Sequence, residues 1–71
     1  MNNKEKELTQ KMALAWDIYN TILRNDMDGV LLNWRGNNSE VLLSSIDYAK
    51  STLSSLIDAL CDIENTVKSD E

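Results

Sequence analysis

Apolar residues in the second half of the chain repeat at alternating steps of four and three. The repeat occupies eight positions without interruption: Leu42, Ile46, Ala49, Leu53, Leu56, Leu60, Ile63 and Val67. Because an α-helix has 3.6 residues per turn, a strict 3.5-residue repeat keeps one stripe of side chains facing a partner helix. The pattern therefore predicts a helix over about residues 39–68 that pairs with another helix.

The first half of the chain carries the same repeat within a helix predicted over about residues 4–25. Its seam consists of Leu8, Met12, Ala15, Tyr19 and Ile22. Three more apolar residues widen this stripe: Trp16, Ile18 and Leu23. A stripe broader than two positions in seven is typical of a helix that touches more than one neighbour, as in a bundle.

The stretch between the two seams permits two interpretations. Poor helix formers favour a helix end near residue 25: Asn25, Asp26, Asp28 and Gly29. Apolar residues nevertheless follow at helical spacing: Met27, Val30, Leu31 and Trp34. Residues 27–35 form either a short separate helix or an extension of the first helix with a kink and a shifted stripe. We favour the break, with a turn at residues 35–38.

These elements predict an all-α fold, a single domain over residues 1–71 in which two long helices form a hairpin. A chain of 71 residues buries only about 60% of its unfolded surface, so it needs a disulfide, a metal or a partner chain. The lone Cys61 excludes an intrachain disulfide, and the absence of histidine excludes the common zinc sites. We therefore expect the hairpin to pair with a second copy as a homodimeric four-helix bundle.

Charge and hydropathy limit the partners. The formal net charge is −5, and the seven basic residues are scattered along the chain. No basic stripe is available for phosphate contacts, so we expect no direct nucleic-acid binding. The chain has no apolar run of 18 residues, which argues against a membrane span and a signal peptide. We expect a cytoplasmic protein in which Cys61 is reduced.

The sequence carries no convincing catalytic or metal site. The segment from Asp26 to Leu31 is similar to the middle of an EF-hand loop, but Arg24 and Arg35 would occupy its first and last ligand positions and repel calcium. Without histidine, the serines and Cys61 lack their usual general base. A glycine-rich phosphate loop is also missing. We expect no catalytic residue, no cofactor and no metal, and hence a protein that is not an enzyme.

Protein binding remains as the predicted function. Val30, Leu31 and Trp34 belong to a compact apolar cluster that either caps the end of a dimeric bundle or serves as a docking point for another protein. The first hypothesis is a small regulatory or accessory protein, of the kind typical of bacteria and phages, that binds itself and a larger protein. No family motif is recognised.

Two other hypotheses remain open. In the alternative, the protein is an acidic decoy or inhibitor that occupies a basic nucleic-acid-binding surface of another protein. Its charge would come from Asp17, Asp47, Asp58, Asp62 and Glu64. In a third, weaker hypothesis, the chain is a fixed subunit of a larger assembly whose other chains cover its apolar faces.

Overall fold

The computed structural model describes residues 3–69, which form an all-α helical hairpin. Helix α1 spans Asn3–Asp17 and helix α2 spans Arg24–Arg35. A π-helical segment, Ile18–Leu23, joins them, and the flanking residues Asp17 and Arg24 keep α-helical torsions. We call residues 3–35 the first helix. It lies against helix α3, which spans Ser39–Lys68.

The predicted break near Asn25 is wrong. The first helix continues to Arg35, so the alternative of a helix extension with a shifted stripe holds. Asp26 accepts a hydrogen bond from Thr52 Oγ1 of α3, and Gly29 has helical torsion with a negative φ. Contacts with α3 thus outweigh the weak helix propensity of this stretch, as tertiary packing commonly does.

The π segment corrects the register of the first helix. Nine residues of this helix that are buried or partly buried form a repeat facing α3, and we call them the inner stripe: Lys4, Leu8, Lys11, Ala15, Ile18, Leu23, Asp26, Val30 and Asn33. Asn20 and Gly29 are also partly buried but lie outside this repeat. Their spacing is three or four residues everywhere except between Ile18 and Leu23, where it is five. A π turn accommodates one extra residue relative to an α turn. Both halves of the first helix therefore face α3.

The inner stripe of α3 alternates apolar and small side chains. It consists of Leu42, Ser45, Ala49, Thr52, Leu56, Ala59, Ile63 and Thr66. Ala49 in this stripe and Ala15 in the first helix are the most buried apolar residues, at 5% and 7% exposure. Small side chains at a helix contact permit a short distance between the axes.

The turn between the helices forms as the sequence predicts. Asn37 has a φ of 60°, a conformation that asparagine tolerates better than most residues. The side chain of Asn38 then accepts hydrogen bonds from the backbone N–H groups of Glu40 (3.1 Å) and Val41 (3.2 Å). This N-cap satisfies two of the donors that a helix start leaves unpaired. The predicted second helix over about residues 39–68 is confirmed.

The hairpin is a single layer of helices. Its Cα atoms span 52 × 18 × 9 Å, so the thickness is that of one helix layer. Among residues 3–69 no side chain is fully buried. Domains usually enclose their core between two packed layers. A single layer leaves one side of its apolar residues in contact with solvent.

Candidate protein-interaction site

One side of the hairpin is formed by residues that immediately follow inner-stripe residues. We call this side the apolar face, and its apolar residues are Met12, Trp16, Tyr19, Met27, Leu31 and Trp34 in the first helix and Leu43, Ile46, Leu53, Ile57, Leu60 and Val67 in α3. The remaining positions of this side hold Glu5, Thr9, Arg24, Lys50 and Glu64. Successive residues turn about 100° around a helix, so residues that follow the stripe point to one side. In an antiparallel pair of helices, that side is the same for both helices.

A groove lies within the apolar face, between the two helices. It is lined by Met12, Ala15, Trp16, Tyr19, Leu56 and Leu60 and has a volume of about 350 Å³. Ala15 and Leu56 belong to the inner stripes and form its floor. The rings of Trp16 and Tyr19 lie 5.6 Å apart at 48° along one rim, and Trp16 is 59% exposed. The groove therefore presents an apolar surface that no other residue of the described range 3–69 covers.

The seam predicted in α3 divides between two surfaces. Every second member belongs to the inner stripe: Leu42, Ala49, Leu56 and Ile63. The other members lie on the apolar face: Ile46, Leu53, Leu60 and Val67. Leu53, Leu60 and Val67 are exposed, while Ile46 is partly buried. The hairpin thus uses half of this seam for its own contact and leaves the other half towards solvent.

The seam predicted in the first helix divides in a similar way. Leu8 and Ala15 belong to the inner stripe, whereas Met12 and Tyr19 lie on the apolar face. Ile22 lies in the π segment and is 50% exposed. Because Ile22 immediately precedes Leu23 of the inner stripe, it lies on the side of the hairpin opposite Met12 and Tyr19. The predicted seam is therefore divided between the helix contact and both sides of the hairpin.

The predicted docking cluster lies near the turn. Val30 belongs to the inner stripe and is partly buried, while Leu31 and Trp34 are exposed on the apolar face. Trp34 contributes to a second, more polar pocket of about 300 Å³, whose other lining residues are Asn33, Asn37, Asn38, Ser39 and Leu42. Leu31 and Trp34 are thus available for contact with another molecule.

The opposite side of the hairpin, which we call the polar face, is formed by residues that immediately precede inner-stripe residues. It carries Gln10, Asp17, Asn25, Ser44, Ser51, Ser55, Asp58, Asp62 and Asn65, and its exposed apolar exceptions are Leu14, Ile22, Leu32, Val41 and Tyr48. Beside it, Lys11 Nζ donates hydrogen bonds to Asp62 Oδ1 (3.0 Å) and Thr66 Oγ1 (2.7 Å) and pairs with Glu7 (3.1 Å). Polar interactions therefore join the helices along this edge.

The Lys11 contacts predict that the free energy of unfolding depends on pH in the alkaline range. Hydrogen bonds to Asp62 and then to Glu7 raise the pKa of Lys11 above its usual value of 10.5. Because the pKa of Lys11 is higher in the folded state than in the unfolded state, the charged lysine stabilises the fold. This stabilisation is fully present below the pKa of the unfolded state and is lost as the pH rises through the pKa of the folded state. We expect Lys11→Met to lower the free energy of unfolding relative to wild type at about pH 8, and the difference to shrink at about pH 11.

Urea unfolding at the two pH values measures this difference. The matched control is Lys6→Met, because Lys6 is an exposed lysine of α1 that is two residues away from the inner stripe on either side. A difference between wild type and Lys11→Met that stays constant into the alkaline range would contradict the assigned ion pairs.

The segment that is similar to an EF-hand loop, and Cys61, both lie within helices. Asp26 and Asp28 lie within the helical turns of α2 and not in a calcium-binding loop. Among residues 3–69, no three side chains of the metal-ligating types His, Cys, Asp and Glu come together. The same residues contain no helix with the length and apolarity needed to cross a membrane. Cys61 is exposed.

No protein-family model, curated protein or solved structure matches the chain, so no family assigns a function to the apolar face.

Proposed function

We propose that the protein is a small, non-enzymatic regulatory or accessory protein that acts as a homodimer, in which two hairpins form a four-helix bundle. The observation that carries this proposal is the apolar face of a hairpin only one layer thick. Such a layer must bury its apolar side against another layer to be stable in water. Four-helix bundles achieve this by enclosing the apolar faces of two helix pairs.

The large accessible surface area of the chain supports the proposal that the hairpin packs against a second layer. The chain exposes 5607 Å² at a mass of 8.1 kDa. A compact monomer of that mass is expected to expose about 4500 Å². The excess, about 1100 Å², exceeds the roughly 800 Å² that each partner contributes to a typical stable protein interface. The hairpin therefore has enough surplus surface for one partner of its own size.

Binding of a larger protein is the second part of the proposal. Leu32 and Tyr48 are exceptions on the polar face, with 70% and 68% of their surface exposed. Aromatic and aliphatic side chains of this kind anchor many protein interfaces. They would stay exposed if the apolar face were covered. We therefore place the contact with a larger protein on the polar face of the bundle.

The alternative of an acidic decoy has weaker support. Of the five carboxylates that this hypothesis requires, Asp62 pairs with Lys11 and Glu64 pairs with Lys68 within the chain. These pairs reduce the negative charge offered to a basic surface. With an identified partner protein, the salt dependence of its affinity distinguishes the two hypotheses. Salt screens contacts between exposed charges and leaves apolar contacts largely unchanged.

The dependence of the melting temperature on protein concentration tests the homodimer. When folding and association are coupled, mass action stabilises the folded state as the concentration rises. Between about 1 and 100 μM chain we expect the melting temperature to rise by on the order of 10 °C. A melting temperature that is independent of concentration would contradict the proposal, because it would mean that the hairpin folds alone.

A further inference from the structure

We infer that a second copy of the chain covers the apolar face along its whole length, from the groove to Trp34. This inference rests on the proposed homodimer and assigns its interface. It places Leu31 and Trp34 in the same interface as Trp16 and Tyr19. In consequence, the cluster near the turn is part of the dimer contact and is not a separate docking point.

The register of the first helix places Trp16 and Trp34 on the same side of the hairpin. Trp16 follows Ala15 of the inner stripe, and Trp34 follows Asn33 of the same stripe. In an uninterrupted α-helix, the one extra residue between Ile18 and Leu23 would turn everything after it by about 100°. The π segment absorbs this residue. Both tryptophans therefore point to the same side of the hairpin although they lie in different halves of the first helix.

Residues of α3 that line the two pockets support the same conclusion. Trp34 lies beside Leu42 in the pocket near the turn. Leu56, which lines the groove, lies two heptads after Leu42. Residues separated by whole heptads stay on nearly the same side of a helix. Both depressions therefore lie along the contact between the two helices, and Trp16 and Trp34 line them from the apolar face.

The dimensions of this surface fit a second hairpin. The Cα atoms cover 52 × 18 Å in the plane of the two helices, a footprint of roughly 940 Å². Typical stable interfaces bury about 800 Å² per partner. A second copy has the same length and width, so it can cover the face from end to end. It also brings its own Trp16 and Trp34, which are 59% and 66% exposed and are large enough to fill a groove of about 350 Å³.

Charge argues against the polar face as the contact. A two-fold interface sets each surface patch against the same patch of the second copy. On the polar face this would bring Asp58 and Asp62 of two chains towards each other, and like charges disfavour such a contact. The groove is lined by apolar residues alone. The apolar face does carry charges outside the groove, but they are of both signs, Glu5 and Glu64 against Arg24 and Lys50. It can therefore pair with itself without bringing a cluster of like charges together.

Single glutamate substitutions at three exposed aromatic residues test the inference. Trp16→Glu and Trp34→Glu alter the apolar face, and Tyr48→Glu on the polar face is the matched control, because wild-type exposure is 59%, 66% and 68%. We expect sedimentation equilibrium to show the dimer dissociation constant raised roughly 30-fold or more by each tryptophan substitution. For Tyr48→Glu we expect a dissociation constant within about threefold of wild type, below the tenfold change that 1.4 kcal/mol produces.

Fluorescence of conservative variants gives a second measurement that does not depend on the stability of a charged variant. Trp16→Phe leaves Trp34 as the single tryptophan, and Trp34→Phe leaves Trp16. Under the inference, the emission of each remaining tryptophan shifts to shorter wavelength as the protein dimerises, because the side chain leaves water.

The outcomes separate the inference from the proposed function. If wild type is dimeric and Trp34 neither shifts its emission nor affects the mass, the interface ends before the turn and the inference is overturned while the homodimer stands. The inference also fails if Tyr48→Glu alone dissociates the dimer, because the polar face is then the contact. If wild type remains monomeric at all concentrations, the proposed homodimer itself fails.

Discussion

Deletion of Thr21 should leave the hairpin folded, whereas deletion of Ser55 should unfold it. Both residues are exposed, and each deletion shortens one helix by a single residue. Without Thr21, the step from Ile18 to Leu23 becomes four, and the inner stripe of the first helix becomes a regular repeat. The rare π geometry is then no longer needed. We therefore expect helical content close to that of wild type and an equal or higher melting temperature.

Deletion of Ser55 has the opposite effect because α3 contains no extra residue. The step from Thr52 to Leu56 becomes three, which rotates one half of the α3 stripe by about 100° relative to the other. Only one half of α3 can then face the first helix. Since the net stability of a small domain is about 5–15 kcal/mol, loss of half the contact should remove most of the fold.

Circular dichroism and thermal unfolding of the two deletion variants measure this contrast. The interpretation of the π segment as an absorbed extra residue would be wrong if the Thr21 deletion lost helicity as severely as the Ser55 deletion. Equal tolerance of both deletions would instead mean that the register of α3 is not fixed by the inner stripe.

Leu56→Asp should unfold the hairpin. Leu56 belongs to the inner stripe of α3 and also forms the floor of the groove, so the aspartate would meet Ala15 and Met12 with no cation nearby in the groove. Burying a carboxylate without a partner, together with the loss of the leucine side chain, costs several kcal/mol. That cost is comparable with the stability expected of so short a chain. We expect loss of most helical signal at room temperature.

Ser54→Asp is the matched control for this substitution. Ser54 lies two residues away in the same helix and is exposed, so the same charge there should change the free energy of unfolding by no more than about 0.5 kcal/mol. Urea unfolding followed by circular dichroism compares the two variants. Retained helicity and an unchanged transition in Leu56→Asp would contradict the assigned inner stripe.

The bounds of α3 could be predicted from the sequence because every local signal agrees. An asparagine N-cap precedes an uninterrupted heptad pattern, and no glycine or proline interrupts it. The turn follows from the same signals, since Gly36, Asn37 and Asn38 cluster between the two helical patterns. Agreement between local preference and tertiary contact makes such an element readable from one sequence.

The continuity of the first helix could not be read with the same certainty. Its weak propensity near Gly29 pointed to an end, while the spacing of the apolar residues pointed to a helix with a shifted stripe. The step of five between Ile18 and Leu23 is compatible with either a break or a π turn. The structure shows the π turn, and the hydrogen bond between Asp26 and Thr52 holds the following residues against α3.

Many apolar residues of the candidate site belong to the predicted heptad pattern, but their arrangement could not be read from it. The heptad pattern identifies the apolar side chains that need partners, yet it does not say which of two adjacent stripes faces the partner within the chain. In α3 the hairpin contact includes the small residues Ser45, Thr52 and Ala59, which permit close approach. This choice leaves Leu53 and Leu60 on the outside. Side-chain volume at the contact, and not hydrophobicity alone, decides the arrangement.

Sedimentation equilibrium of the wild-type chain over a wide concentration range, with Cys61 kept reduced, tests the central claim most directly. The central claim is that a hairpin one layer thick acquires its second layer from another copy of itself. The account predicts a mass of twice 8.1 kDa over most of the range, with dissociation only at the lowest concentrations. A helical species that stays at 8.1 kDa throughout would contradict it.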